Sequence, residues 1–212
     1  MMKFNLDKTL IASGFIGPAV FFFTVYFLFQ FFYPGYGIGS QTISELGALQ
    51  SPVKLLTNVF GFSLFGIFIM LFSLGLFRSK EINLGCKTGA FFMLATGILM
   101  YLTGIFYNST ARGFSSIDKL HIIVSNYQFP VFAIGLVIFA FGIAFNRKLR
   151  WLTAVILVGG LITLWFANIF FFTHELANRG LWQRAAIGLP YILMMIVAIA
   201  LYRAQFSKIF NR

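Results

Sequence analysis

Four polar side chains recur at helical spacing within an otherwise apolar part of the chain: Asp118, His121, Ser125 and Gln128. Steps of three and four residues place all four on one face of an α-helix. From His121 to Gln128 this face extends about 10 Å, at about 1.5 Å per residue. Because polar groups within apolar helices face a bundle interior or a water-filled cavity, the stripe predicts a polar pocket.

Acid–base chemistry is one use for this pocket. Histidine titrates near neutral pH, so His121 could transfer a proton there, with Asp118 or Glu45 as its carboxylate partner. These three residues are the candidate catalytic set. Both carboxylates also have an ordinary alternative role as helix caps, because Thr42-x-x-Glu45 fits a capping box and Asp118 lies at a predicted helix start. Both roles stay open at this point.

Anion binding is the second chemistry that the sequence suggests. An arginine at the start of a membrane span is unfavourable unless it has a carboxylate partner or an anionic ligand, and Arg184 is placed in this way. Other polar residues are predicted at similar depth, and for each of them a hydrogen bond between helices is the alternative to ligand binding. This candidate ligand-binding set comprises Arg184, Gln128, Ser125, Asn58, Asn168, His174, Gln183 and Tyr191, with Asn108 beside it.

Metal binding has little support in the sequence. His121 and His174 could hold a metal or haem, but neither belongs to a spaced ligand motif such as His-x-x-x-His. The single cysteine, Cys86, excludes a cysteine-based cluster and is predicted to lie in a loop. We predict no metal site and no cofactor, and keep a metal or haem at the two histidines as the alternative.

The elements that must position these residues are membrane helices. Of the 212 residues, 59% are hydrophobic and 10% are charged, which is outside the composition of soluble domains. Continuous apolar runs that can span a bilayer favour helices over the alternating strands of a barrel. We predict an all-α integral membrane bundle of six transmembrane helices in a single domain, 1–212, with spans at about 9–33, 55–77, 88–108, 120–145, 151–173 and 181–204.

The basic residues predict the orientation. With both termini in the cytoplasm, eleven of the sixteen lysines and arginines fall on the cytoplasmic side, as the positive-inside rule requires. The first outer loop, residues 34–54, is then the longest connection, and Ile43, Leu46 and Leu49 share a helix face within it. We predict a short helix on the outer membrane surface there. Because the basic charges are spread over short loops, we predict no nucleic-acid partner.

Short motifs distributed along the chain resemble a known family. Ser44-Glu45-Leu46-Gly47-Ala48, Pro52, Asn58, His121, Gly180 and Gln183-Arg184 together resemble domain of unknown function 998, a family of bacterial and archaeal multi-pass membrane proteins. The resemblance implies six helices in the cell's inner (plasma) membrane and no established activity. One departure is Gly104-Ile105-Phe106-Tyr107, where the family pattern has Gly-x-Phe-Pro. The layout is also similar to the Frag1, DRAM and Sfk1 group, which is linked to lipid handling.

Three functions remain in competition. The leading hypothesis is a protein that binds a lipid or an anionic head group in an outward-facing polar pocket, so that membrane lipids are its partners. The second is a membrane-embedded enzyme for a lipid-linked substrate, with His121 as general base. The third is a non-catalytic subunit whose outer loops bind a partner protein.

Overall fold

The computed structural model describes residues 5–108, 116–172 and 178–206. Within these ranges the chain is helical and contains no strand. Six helices are long and apolar enough to cross a membrane: α1 Leu6–Phe32, α3 Lys54–Arg78, α4 Leu84–Ile105, α5 Ser116–Ile143, α6 Leu152–Phe172 and α7 Arg179–Phe206. A short helix, α2 Ile43–Leu46, lies between α1 and α3. The predicted all-α bundle with six membrane helices is confirmed.

The six long helices pack in a closed ring. Helix α1 contacts α3 and α7, α4 lies between α3 and α5, and α6 lies between α5 and α7. Small residues allow the closest approaches: a Cβ added to Gly89 of α4 would lie 2.6 Å from the carbonyl oxygen of Gly135 on α5. Close packing of this kind holds helices together where lipid removes the hydrophobic driving force between them.

The bundle has two distinct ends. Since successive long helices run in opposite directions, α1, α4 and α6 end, and α3, α5 and α7 begin, at the same end of the bundle, which we call the lid end. The lid itself is residues 33–53, which include α2. The other end, the terminal end, carries the start of α1, the end of α7 and the connections 79–83 and 144–151. Which end faces the cytoplasm remains a prediction from the charge distribution.

Helix α4 begins earlier than its predicted span. It starts at Leu84 rather than near 88, because the Asn83 side chain caps it by accepting a 3.0 Å hydrogen bond from the backbone nitrogen of Cys86. Cys86 is therefore helical and fully buried, and its predicted placement in a loop is wrong. An uncharged run begins only after Lys87, so it does not include this first turn.

Two of the long helices change from α-helical to π-helical geometry near the lid. Residues Phe22–Leu28 of α1 and Thr57–Ser63 of α3 are π-helical, and these two segments contact each other. Wider turns of this type are common near functional sites. The segment in α3 includes Asn58, which contacts the lid directly.

Candidate functional site

Two consecutive residues of α7 hold the lid. Nη1 of Arg184 donates hydrogen bonds to the carbonyl oxygens of Ile38 and Gln41, each at 2.9 Å. Nη2 of Arg184 donates to the hydroxyl of Tyr36 at 2.6 Å. Oε1 of Gln183 accepts a 2.6 Å hydrogen bond from the backbone nitrogen of Ile43, the first residue of α2. These bonds fix the lid against the start of α7.

The Tyr36 hydroxyl takes part in this arrangement as a neutral group. Burial raises the pKa of its phenol above the usual value, although the charge of Arg184 acts in the opposite direction. The hydroxyl can therefore accept from Arg184 and donate to the carbonyl oxygen of Thr42, 2.9 Å away. A backbone oxygen of the lid thus receives a further hydrogen bond.

Close backbone contact completes the attachment of the lid. A Cβ on Gly180, in the first turn of α7, would collide with the carbonyl oxygens of Ile38 and Gln41. On the other side of the lid, Nδ2 of Asn58 donates a 2.9 Å hydrogen bond to the carbonyl oxygen of Gly47. The lid is therefore fixed from α7 and from α3.

Glu45 has the capping role that its spacing predicted. Its Oε1 accepts hydrogen bonds from the backbone nitrogen and the hydroxyl of Thr42, at 2.9 and 3.0 Å, in a capping box. Its Oε2 accepts one from Nε2 of Gln41 at 3.2 Å. The Glu45 carboxylate thus accepts three hydrogen bonds from other lid residues, and it also lines the cavity beneath the lid.

A polar cavity of about 440 Å³ lies under the lid. This volume is within the range of roughly 300–1,000 Å³ typical of small-molecule sites. Residues from the lid, the end of α4, α5, α6 and α7 all contribute to its wall, so the ring of helices and the lid form it jointly. The lining residues are Thr42, Ser44, Glu45, Asn108, His121, Ile122, Ser125, Asn126, Phe170, Arg179 and Gln183.

His121 is a buried polar side chain in this wall. It is only 3% exposed, and its Nδ1 lies 2.5 Å from the carbonyl oxygen of Phe106, which follows α4. A carbonyl oxygen can only accept, so Nδ1 carries a hydrogen. The other ring nitrogen, Nε2, is buried and has no hydrogen-bond partner within the described ranges. In the neutral ring Nε2 is a lone-pair acceptor, and in the protonated ring it is a donor.

Arg179 supplies a positive charge to the cavity. Its guanidinium lies over the ring of Phe170, 5.3 Å from the centroid. Its Nε is buried, and the described part of the chain offers this atom no hydrogen-bond acceptor. A guanidinium with an unused donor in a cavity favours an anionic group.

An apolar groove lies beside the cavity on the outside of the bundle. It has a volume of about 650 Å³ and lies between α5 and α6, and Asn126 lines both spaces. Tyr127 and Phe172 on its rim are 61% and 77% exposed. The remaining lining is mainly aromatic and aliphatic: Pro130, Leu164, Ala167, Asn168 and Phe171.

The structure brings together only part of the predicted site. His121, Glu45, Ser125 and Gln183 line the cavity, and Asn168 lines the groove. Asp118 is buried one turn before His121 but does not border the cavity. His174 lies outside the described residues.

Four other candidates are placed elsewhere. Arg184 and Asn58 hold the lid, as described above. Gln128 is buried within the bundle, where its Nε2 donates to the carbonyl oxygen of Ser125 at 2.9 Å. Tyr191 packs in an aromatic cluster with Phe21 and Phe65. None of the four lines the cavity.

Several residues of the site could not be predicted from the sequence. Arg179 lies five positions before Arg184 and begins the same helix, but it precedes the predicted span 181–204 and there resembles an ordinary loop cation. Asn126 directly follows the stripe member Ser125 but falls on a neighbouring helix face. Because the cavity reaches across two faces of α5, a single stripe could not reveal Asn126.

The fold and the cavity define a multi-pass membrane protein with a lid-covered polar site. The chain matches the family model "Protein of unknown function (DUF998)" over residues 15–200, and it belongs to that family. The matched range includes every residue that lines the cavity. No curated protein and no solved structure shows significant similarity to the chain.

Proposed function

We propose that this protein binds a membrane lipid with an anionic head group in the cavity beneath the lid. The observation that carries the proposal is that two unlike spaces lie side by side, since Asn126 lines both the polar cavity and the apolar groove. A head group fits the first and a hydrocarbon chain fits the second. The exposed rim of the groove gives the chain access from the bilayer.

The charges around the cavity favour an anionic head group. Among the described residues, Nε of Arg179 has no hydrogen-bond acceptor, whereas the Glu45 carboxylate already accepts three hydrogen bonds from the lid. A phosphate near Arg179 would complete the hydrogen bonding of this cation. His121 Nε2 provides a further contact, as acceptor for a head-group hydroxyl or as donor to a phosphate oxygen.

Native mass spectrometry of the gently extracted protein tests this proposal. The informative variant is Arg179→Gln, and Lys54→Gln is its control, because Lys54 is an exposed cation at the same end and does not line the cavity. We expect a stoichiometric lipid adduct on the wild type and on Lys54→Gln, and its loss from Arg179→Gln. A bare wild-type protein would contradict lipid binding and favour a partner-binding subunit. Equal retention in all three proteins would contradict binding of the head group at Arg179.

A second candidate function is catalysis on a lipid-linked substrate. The observation that favours it is the orientation of His121: its Nδ1 donates to a backbone carbonyl, and within the described ranges no hydrogen-bond partner occupies Nε2, the nitrogen that would transfer a proton. A positioned general base contributes about 10²–10⁴ in rate. Incubation with a total membrane lipid extract, followed by lipid mass spectrometry, should reveal a product that His121→Asn fails to form. Identical lipid profiles with the wild type and without protein would exclude this activity for the extract used.

A further inference from the structure

A second groove lies at the terminal end of the bundle, on the opposite side of the protein from the lid. It has a volume of about 240 Å³ and is bordered by the 144–151 connection and by the last three turns of α7. Its wall combines aliphatic side chains with a tryptophan and two cations: Ile196, Ile199, Ala200, Trp151, Lys148 and Arg203. It shares no residue with the cavity beneath the lid.

The two cations are available to a ligand. Nζ of Lys148 is 3.8 Å from a carboxylate oxygen of Glu81, and both side chains are partly exposed at 54% and 29%. Such a long exposed pair contributes little stability. Arg203 is exposed, and no ion pair holds it within the part of the chain that the structure describes. Arg147 and Arg150 add further positive charge to the same connection.

The groove lies where membrane lipid surrounds the bundle. Helices α6 and α7 are membrane spans, and Ile199 and Trp151 on the groove are 37% and 58% exposed. Tryptophan is typical of the level where hydrocarbon meets head groups. The aliphatic side of the groove therefore faces acyl chains, and its charged side faces the head-group layer.

We infer that this groove is a binding site for an anionic phospholipid. Its acyl chain would lie along Ile196 and Ile199, and its phosphate would lie between Lys148 and Arg203. Basic pockets between membrane helices select anionic head groups in this way. A zwitterionic lipid would bring its own cationic group toward Lys148 and Arg203, so it would bind the groove less tightly than an anionic lipid. The site is independent of the proposed function, because it lies at the other end of the bundle.

Tryptophan fluorescence provides a direct test, since the chain has three tryptophans and only Trp151 borders this groove. Trp165→Phe/Trp182→Phe leaves Trp151 as the single reporter. The protein is reconstituted into bilayers that contain brominated phosphatidylglycerol or brominated phosphatidylcholine at equal mole fraction. We expect the anionic lipid to quench Trp151 with roughly tenfold higher apparent affinity.

Two charge variants in this background identify the source of the selectivity. Lys148→Gln/Arg203→Gln removes the cations of the groove, and Arg150→Gln removes an exposed cation of the same connection that does not border it. All three side chains are exposed, so these replacements remove no core packing. The preference should disappear in the first variant and persist in the second. Equal quenching by both lipids, a preference that survives Lys148→Gln/Arg203→Gln, or an equal loss in Arg150→Gln would overturn the inference.

Discussion

Gln183 and Ile43, 140 positions apart in the chain, are joined by a 2.6 Å hydrogen bond between the side-chain oxygen of the former and the backbone nitrogen of the latter. The first backbone N–H groups of a helix have no partner within that helix. Here α7 supplies the acceptor for the first residue of α2, so the position of the lid helix is determined by a distant membrane helix. Nε2 of Gln183 reaches the hydroxyl of Ser44 at 3.3 Å as well.

Gln183→Leu should loosen the lid without disrupting the bundle. The buried N–H of Ile43 would lose its acceptor, at a free-energy cost of about 1–3 kcal/mol. Hydrogen–deuterium exchange should become faster across residues 36–47 and stay unchanged in α4. Gln205→Leu, an amide replacement at the terminal end, is the control and should leave exchange in the lid unaltered. Unchanged exchange in Gln183→Leu would mean that other contacts alone hold the lid.

Arg184→Lys should destabilise the protein although the charge is kept. The guanidinium donates to three backbone carbonyls and to Tyr36, and an ammonium group cannot reproduce that planar arrangement. We expect a loss of about 2–3 kcal/mol in the free energy of unfolding, measured as a lower thermal midpoint in detergent. Arg179→Lys is the matched change and should have a much smaller effect. Equal destabilisation by both would contradict the assignment of Arg184 to the lid and Arg179 to the cavity.

Two replacements of His121 separate its structural bond from its contact with a ligand. Asparagine places a donor near the position of Nδ1 and lacks any group at Nε2, whereas glutamine places its amide near Nε2. If Nε2 contacts the bound lipid, His121→Asn should retain thermal stability and lose the lipid adduct. His121→Gln should retain more lipid and lose stability, because the bond to Phe106 is weakened. Lipid retention equal to that of the wild type in both variants, measured by native mass spectrometry beside thermal unfolding, would assign His121 to packing alone.

Gln128→Leu should leave both stability and lipid retention nearly unchanged. Oε1 of Gln128 is buried without a hydrogen-bond partner in the described ranges, and its Nε2 bonds within its own helix. Replacing such a group with an apolar side chain of similar size is nearly neutral. Asn126→Leu is the comparison, because Asn126 lines both the cavity and the groove, and it should reduce lipid retention. Loss of lipid in Gln128→Leu would extend the binding site deeper into the bundle.

Cysteine labelling tests the predicted orientation. The exposed residues Gln50, in the lid, and Arg150, at the terminal end, are suitable sites for single cysteines, and the native Cys86 is fully buried. A membrane-impermeant maleimide should label Gln50→Cys on intact cells and Arg150→Cys only after permeabilisation. The wild type should stay unlabelled. The opposite pattern of labelling would reverse the orientation and place the lid in the cytoplasm.

The sequence predicts the membrane helices and the capping box because both depend on local information. Long apolar runs require helices in a bilayer, and Thr42 and Glu45 are only three positions apart. The role of Arg184 could not be predicted in the same way, since its two carbonyl acceptors in the lid are more than 140 positions away in the chain. Backbone acceptors leave no signal in side-chain identity, so the charge of Arg184 suggested an anionic ligand instead.

The cavity was predicted in outline from His121 and Ser125 but not in its composition. The helical stripe assumes one straight face, and the cavity also includes Asn126 on the adjacent face. The π-helical turns of α1 and α3 have no sequence signal of their own, yet one of them places Asn58 against Gly47. The composition of the cavity wall and the position of Asn58 therefore depend on tertiary contacts between the lid and several helices, which local periodicity does not predict.

A cryo-EM structure of the protein in lipid nanodiscs, obtained with a bound antibody fragment, tests the central claim most directly. The expected result is density for one lipid, with its head group within hydrogen-bond distance of Arg179 and of His121 Nε2, and with a chain lying along the groove between α5 and α6. A cavity that contains only water, or one that is closed by side chains while the groove holds only disordered annular lipid, would contradict the account.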